Sequence, residues 1–191
     1  RDWLAEVSTT AKARPMAAIA YGPPGVGKTS IGAAIPGCIF LVDDKEDGVN
    51  TLKTSRLIAQ DVPVLPAVST WEDSLECLRQ LSTQKHKHKA LVIDAAGGFE
   101  KLCHDYVCRT RFHSDWGEKG FAGYQRGYET SLPEWRLFLN LLDSCRGNGM
   151  SILLLAHSIV KPFKNPTADD YDRFVPDLHH KTWSVTHRWA D

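Results

Sequence analysis

A short segment near the start of the chain combines glycines with a lysine and two hydroxyl side chains. It consists of Gly22-Pro23-Pro24-Gly25-Val26-Gly27-Lys28-Thr29-Ser30 and has the spacing G-x-x-x-x-G-K-[ST]. The glycines let the backbone curl so that N–H groups point at phosphate oxygens, and a helix beginning at Lys28 adds its positive dipole end. We expect Lys28 to reach the β and γ phosphates of a nucleotide and the Thr29 hydroxyl to bind Mg²⁺.

One carboxylate is placed to complete this phosphate site. Asp94 directly follows the apolar run 90–93, and an acid at the end of a buried strand can hold Mg²⁺ through water. The next residue is Ala95, whereas many ATPases have a water-activating glutamate at that position. The general base must therefore come from another strand, and the acidic segment 43–47 is the candidate, or hydrolysis is slow.

The elements that must position these residues follow an alternating pattern of apolar runs and amphipathic stretches, which predicts an α/β fold with a mostly parallel sheet flanked by helices. The predicted strands are Ala17–Tyr21, Cys38–Val42, Val62–Val68, Ala90–Ile93 and Ser151–Ala156. The predicted helices are Lys28–Ile35, Trp71–Leu81 with Thr70 as N-cap, Phe99–Arg109, and Leu132–Arg146 with Ser131 and Glu134 as a capping box. Predicted loops are Gln84–Lys89, Phe112–Thr130 and Lys161–Lys181. In the first of these, three lysines alternate with two histidines, which we interpret as a solvated basic connector.

Composition excludes several classes of protein. The chain has 191 residues, 42% hydrophobic and 24% charged, with a net charge of zero, so we expect one ordered domain over residues 1–191 and no general attraction to polyanions. No apolar run is long enough to cross a membrane, and residues 1–6 contain acids and no apolar core of a signal peptide. Five cysteines without a dense framework indicate reduced thiols and a cytoplasmic location.

The ordered set of motifs resembles the phage-encoded RecA-type ATPases, which serve as single-strand annealing proteins or recombinases and are also described as nucleotide-binding or AAA ATP-binding proteins. The pieces in order are the glycine-rich segment, the acidic turn Glu46-Asp47-Gly48, the strand ending at Asp94, Asp115-Trp116-Gly117 with Tyr124 and Gly127-Tyr128, the run 153–158, and Tyr171-Asp172-Arg173 leading to Trp189-Ala190-Asp191. In that family the chain continues into another strand beyond the position of Asp191.

The resemblance implies roles for further residues. Glu46 corresponds to the acid that polarises the attacking water, although Asp43 or Asp44 could take that role because the turn is one residue longer than usual. His157 stands where a polar residue senses the γ-phosphate. The predicted loops Phe112–Thr130 and Lys161–Lys181 flank the helix and strand that lead to His157, and the resemblance implies that both loops contact single-stranded DNA. The cations and aromatic rings that would do so are Lys119, Phe121, Arg126, Lys161, Phe163, Lys164 and Arg173.

These observations predict a RecA-like ATPase that uses ATP and Mg²⁺ and acts on single-stranded DNA in phage recombination or replication, in the cytoplasm of the bacterial host. We expect a homo-oligomer, either ring or filament, and a single-strand DNA-binding protein as a further partner. Two alternatives stay open. One is an AAA+ helicase loader or motor ATPase, and the other is a nucleotide-gated DNA-binding module without significant turnover.

Overall fold

A mostly parallel β-sheet forms the centre of the protein in the computed structural model, which describes residues 14–191. Residues 1–13, where the sequence predicts no signal peptide, lie outside the described part. The strands are β1 (Ala17–Gly22), β2 (Cys38–Val42), β3 (Ala90–Asp94), β4 (Ser151–Phe163) and β5 (Tyr171–Pro176). The order is β1-β4-β3-β2, all parallel, and β5 pairs antiparallel with the outer part of β4. The predicted α/β class with a mostly parallel sheet is confirmed.

Helices cover both faces of the sheet. They are α1 (Lys28–Ala33), α2 (Gly48–Thr54), α3 (Trp71–Thr83), α4 (Ala96–Arg111), α5 (Arg126–Gly147) and α6 (His180–Trp189). One core cluster joins the sheet to α3, α4 and α5 through rings such as Trp71, Phe99 and Phe138, and a second joins it to the side of α1 and α2 through Phe40 and Val49. Strands β2 and β3 and the first half of β4 are apolar along nearly their whole length because both of their faces are buried.

The segment 62–68 is not a strand, contrary to the prediction. It runs beside β2 and makes only isolated bridges, from Phe40 to Val64 and from Asp43 to Val68. Pro63 and Pro66 have no N–H to donate, so a regular ladder cannot form there.

Helix α5 begins at Arg126, six residues before the predicted start. Ser131 is therefore not an N-cap: it is buried within the helix, and its hydroxyl donates to the carbonyl of Gly127 at 2.8 Å. The first turn is held by tertiary packing, since a Cβ on Gly127 would lie 2.2 Å from the ring of Phe121. The sequence shows the local capping signal but not this packing, and the predicted loop 112–130 is correspondingly shorter.

The predicted loop 161–181 is also wrong. Strand β4 continues to Phe163 and pairs with β5, with Lys161 opposite Arg173, and α6 begins at His180. The prolines that indicated a loop do not prevent this pairing: Pro162 and Pro176 stand opposite Asp172 and Ser158 in the register, and Pro166 lies in the turn between the strands. We call residues 158–176 the β4–β5 ribbon.

None of the helices within residues 14–191 combines the length and apolar character needed to cross a bilayer. All five cysteines are free thiols, and burial raises the pKa of Cys145 to about 12.

Candidate functional site

The glycine-rich segment connects β1 to α1, and the structure shows why it needs glycine at two positions. Gly25 has φ +79° and Gly27 has φ +90°, backbone conformations that residues with a Cβ rarely adopt. Pro23, Pro24 and Val26 are exposed at the outside of the turn, whereas Thr29 and Ser30 are half-buried in α1.

The Lys28 side chain lies back over this turn. It is 9% exposed, and Nζ donates to the carbonyls of Gly22 and Pro23, both at 2.9 Å. The amine is thus held within the curl of the loop, at the carboxyl end of β1. A phosphate in that curl would meet a cation already in position.

The structure brings Thr29 and Asp94, the two residues expected to hold Mg²⁺, into direct contact. The Thr29 hydroxyl donates to Oδ2 of Asp94 at 2.7 Å, although the two residues lie 65 positions apart in the chain. Asp94 is 3% exposed. Burial raises its pKa, the Thr29 hydrogen bond opposes that rise, and the charge of Glu46 adds to it. A cation beside these two oxygens would relieve the cost of the buried charge.

His157 and Glu46 meet beside this pair. Strand β4 lies between β1 and β3, so His157 stands opposite Gly22 and two residues past the position opposite Asp94. Its Nε2 is 3.9 Å from Oε2 of Glu46. The other carboxylate oxygen of Glu46 accepts from the N–H of Gly48 at 3.2 Å, which fixes the acidic turn at the start of α2.

The three acids that the sequence offered as the water-activating group are placed differently. Asp43 and Glu46 both line a cavity of about 400 Å³ that also reaches Ala95 and His157. Asp44 is exposed and does not line this cavity. Asp43 is 5% exposed and accepts from the N–H of Lys45 at 2.9 Å, so its carboxylate is held at the cavity wall.

Two residues near the start of α4, Gly98 and Glu100, which no sequence motif indicated, shape this site. A Cβ on Gly98 would lie 1.8 Å from Oδ2 of Asp43, so α4 can approach β2 only with glycine there. Glu100 is 8% exposed, and burial raises its pKa, although its carboxylate accepts from the N–H of His179 at 3.0 Å. The Gly97-Gly98 pair was the signal for a close approach.

The β4–β5 ribbon carries four of the predicted DNA-contacting residues on one projecting element. The guanidinium of Arg173 lies 4.2 Å from the ring centre of Phe163, while Lys161 and Lys164 are exposed. Arg173 itself is exposed as well. The ribbon therefore presents cations beside an aromatic ring, the combination that suits a flexible nucleic-acid strand.

The connection between α4 and α5 fits the prediction less well. Phe121 is 0% exposed and packs between Phe112 and Tyr128, so it cannot contact DNA, and that assignment is corrected. Its burial has a tertiary cause, namely the contact with Gly127 described above. Lys119 and Arg126 are exposed, and a guanidinium nitrogen of Arg126 donates to the Lys119 carbonyl at 2.6 Å.

Comparison with known proteins gives one family and a distant structural similarity. Residues 14–191 match a family model described as an AAA domain. No curated protein matches the chain. Among solved structures, the chain is similar to the crystal structure of the RadB recombinase, with 13% identity, a TM-score of 0.45 and coverage of 81% of this chain. The chain spans 66% of the length of that structure.

Proposed function

Because the chain belongs to the AAA domain family, we propose that it binds ATP with Mg²⁺ and hydrolyses ATP. The observation that carries this proposal is the hydrogen bond between Thr29 and Asp94 beside the buried amine of Lys28. It joins a hydroxyl of α1 to the carboxylate that ends β3, and the neighbouring cation, Lys28, is the first residue of α1. Phosphate and a hard cation require that set of groups.

The residues take the following roles in this proposal. The loop amides from Gly22 to Thr29 hold the phosphates, and Lys28 exchanges its two carbonyl partners for phosphate oxygens. Thr29 and Asp94 would hold Mg²⁺, since both present oxygen atoms at one point. The metal, when bound, neutralises charge that develops on the phosphates.

The attacking water is aligned by Glu46, with Asp43 as the second acid on the same cavity. His157 contacts Glu46 and can donate from a neutral imidazole to the γ-phosphate. Positioning and charge stabilisation supply most of the catalysis in this class of reaction. The chain has Ala95 where many ATPases have the catalytic acid, so the basal rate is low.

The experiment is phosphate release by the wild type and Lys28→Ala, with Lys101→Ala as the matched control. Lys101 is an exposed lysine on α4 that pairs with Asp105 at 2.9 Å. Lys28→Ala abolishes release and nucleotide binding, and Lys101→Ala leaves both unchanged. Release by Lys28→Ala at the wild-type rate contradicts the proposal.

The proposed partner is single-stranded DNA, contacted by Lys161, Phe163, Lys164 and Arg173 of the ribbon, with Lys119 and Arg126 as further cations. The stacked pair of Arg173 and Phe163 supports this assignment. The work of the protein would be strand annealing or exchange in phage recombination or replication, by a homo-oligomer in the host cytoplasm together with a single-strand DNA-binding protein. DNA that stimulates phosphate release supports the proposal, and the ribbon variant Arg173→Ala removes that stimulation.

A nucleotide-gated DNA-binding module without turnover is the second candidate, and Ala95 after Asp94 is the observation that favours it. The two candidates differ in one measurement. Nucleotide binding with no phosphate release, either with or without single-stranded DNA, identifies the module.

A further inference from the structure

The basic connector Gln84–Lys89 lies at the opposite edge of the sheet from the nucleotide site. The candidate site gathers at the carboxyl ends of β1, β2 and β3 and at His157 within β4, whereas the connector leads into the amino end of β3. The strand β3 has five residues, so the two edges are about 17 Å apart along it. The connector therefore lies away from the candidate nucleotide site.

The connector is attached at both ends, and the rings of His86 and His88, two positions apart, lie 5.8 Å from each other, as in an extended backbone. The N–H of Lys89 donates to the Gly37 carbonyl at 2.8 Å, and the Lys89 carbonyl accepts from Ser151 at 2.9 Å. At its other end, Nε2 of His86 lies 3.0 Å from the carbonyl of Leu81. These bonds hold the backbone in place, so the connector is a fixed part of the surface rather than a free loop.

Exposure alternates along this segment. Lys85, Lys87 and Lys89 are exposed, and His86 and His88 between them are half-buried. An extended backbone places alternate side chains on one side about 6.6 Å apart, so the three lysines form a regular row. Within residues 14–191, no ion pair joins any of the three to an acid.

A cavity of about 350 Å³ opens beside this row. Lys87 and His88 line one side of it, Ile35, Val62 and Pro63 contribute an apolar wall, and one acid, Asp61, also lines it. The surface thus offers evenly spaced cations next to a recess with an apolar wall and a single carboxylate. A polymer that carries one negative charge per unit and a flat, weakly polar ring on each unit fits both features.

We propose that Lys85, Lys87 and Lys89 bind successive phosphates of a nucleic-acid strand, with a base of that strand in the adjoining recess. The inference rests on the proposed function for the identity of the polymer, and it adds a second contact surface remote from the ribbon. A membrane surface fits less well, since the connector exposes no large apolar side chain that could enter a bilayer. An acidic peptide would leave the recess without an occupant.

The test measures how binding of labelled oligothymidylate depends on salt, by fluorescence anisotropy. The variant combines Lys85→Gln, Lys87→Gln and Lys89→Gln. The charge-matched control combines Lys101→Gln, Arg136→Gln and Arg188→Gln, which remove exposed cations from α4, α5 and α6. Each phosphate contact to a single strand steepens the salt dependence by about 0.7 in the logarithmic slope.

Three lost contacts therefore flatten the slope by about 2, so between 50 and 200 mM salt the wild-type affinity falls about 20-fold more than that of the variant. The control keeps the wild-type slope, and all three proteins release phosphate at one basal rate in the absence of DNA. Far-ultraviolet circular dichroism confirms that each is folded.

An unchanged slope in the connector variant overturns the inference. If the ribbon variant with Lys161→Gln, Lys164→Gln and Arg173→Gln flattens the slope in the same assay, DNA binding by the proposed function stands and only the connector contact fails. A wild type that binds no oligothymidylate overturns both. Phosphatidylserine vesicles and polyglutamate are tested as alternative ligands. The inference is also overturned if either captures the wild type and not the connector variant, while the two proteins bind DNA equally.

Discussion

Replacing Gly98 by alanine tests the close approach of α4 to the acidic wall of the candidate site. The added Cβ would lie 1.8 Å from Oδ2 and 2.6 Å from Cγ of Asp43. Asp43 cannot yield easily, because it is 5% exposed and its other oxygen accepts from the N–H of Lys45. Gly97 supplies a matched control, since its Cβ would meet only the Asp177 carbonyl, at 3.5 Å.

The expected magnitude follows from these contacts. Overpacking a filled site costs about 1–3 kcal/mol, and displacing a hydrogen-bonded carboxylate costs a similar amount. Alanine in place of glycine in a helix returns about 0.5–1 kcal/mol, and this gain is common to both variants. We therefore expect the unfolding free energy of Gly98→Ala to lie about 2 kcal/mol below that of Gly97→Ala.

Urea denaturation of the two variants measures this difference. With an m-value of about 2 kcal/mol/M, the midpoint of Gly98→Ala lies about 1 M below that of Gly97→Ala. ATP hydrolysis falls in Gly98→Ala as well, because Asp43 lines the same cavity as Glu46. Equal midpoints would refute the reasoning, since they would mean that Asp43 moves aside at no cost.

Three further predictions concern single side chains. Asp94→Asn is more stable than the wild type at neutral pH, because burial raises the pKa of Asp94 and the charged carboxylate therefore destabilises the folded protein. The wild type loses this stability as pH rises through the folded pKa of Asp94, so the advantage of Asp94→Asn disappears as pH falls towards the ordinary carboxylate pKa. Thermal unfolding across pH measures it, and a gain that persists in acid would show another cause. Glu46→Gln slows phosphate release about 100-fold and leaves ATP binding unchanged, and an unchanged rate would transfer the role to Asp43. Trp135→Phe removes the buried donor that meets the Thr186 hydroxyl at 2.8 Å and lowers the unfolding free energy by about 1–3 kcal/mol, whereas an unchanged urea midpoint would show that the bond contributes nothing.

Much of the fold could be predicted because its signals are local. The strand bounds of Cys38–Val42 agree with the prediction to the residue, and Thr70 is the N-cap of α3, accepting from the N–H of Asp73. Both depend on neighbours within a few residues. The start of α5 and the β4–β5 ribbon escaped prediction because they depend on packing and pairing between segments far apart in the chain.

The candidate site also contains one part that local sequence determines and another that depends on tertiary contacts. The sequence by itself determined the glycine-rich turn, with its left-handed positions and its lysine and threonine, because that motif lies within nine residues. Only the tertiary structure decided that Asp94 accepts from Thr29, that Glu46 meets His157, and that Phe121 is a core residue. The physical reason is that these contacts join segments far apart in the chain: the strand order places β4, with His157, between β1 and β3, and helix packing on Gly127 buries Phe121.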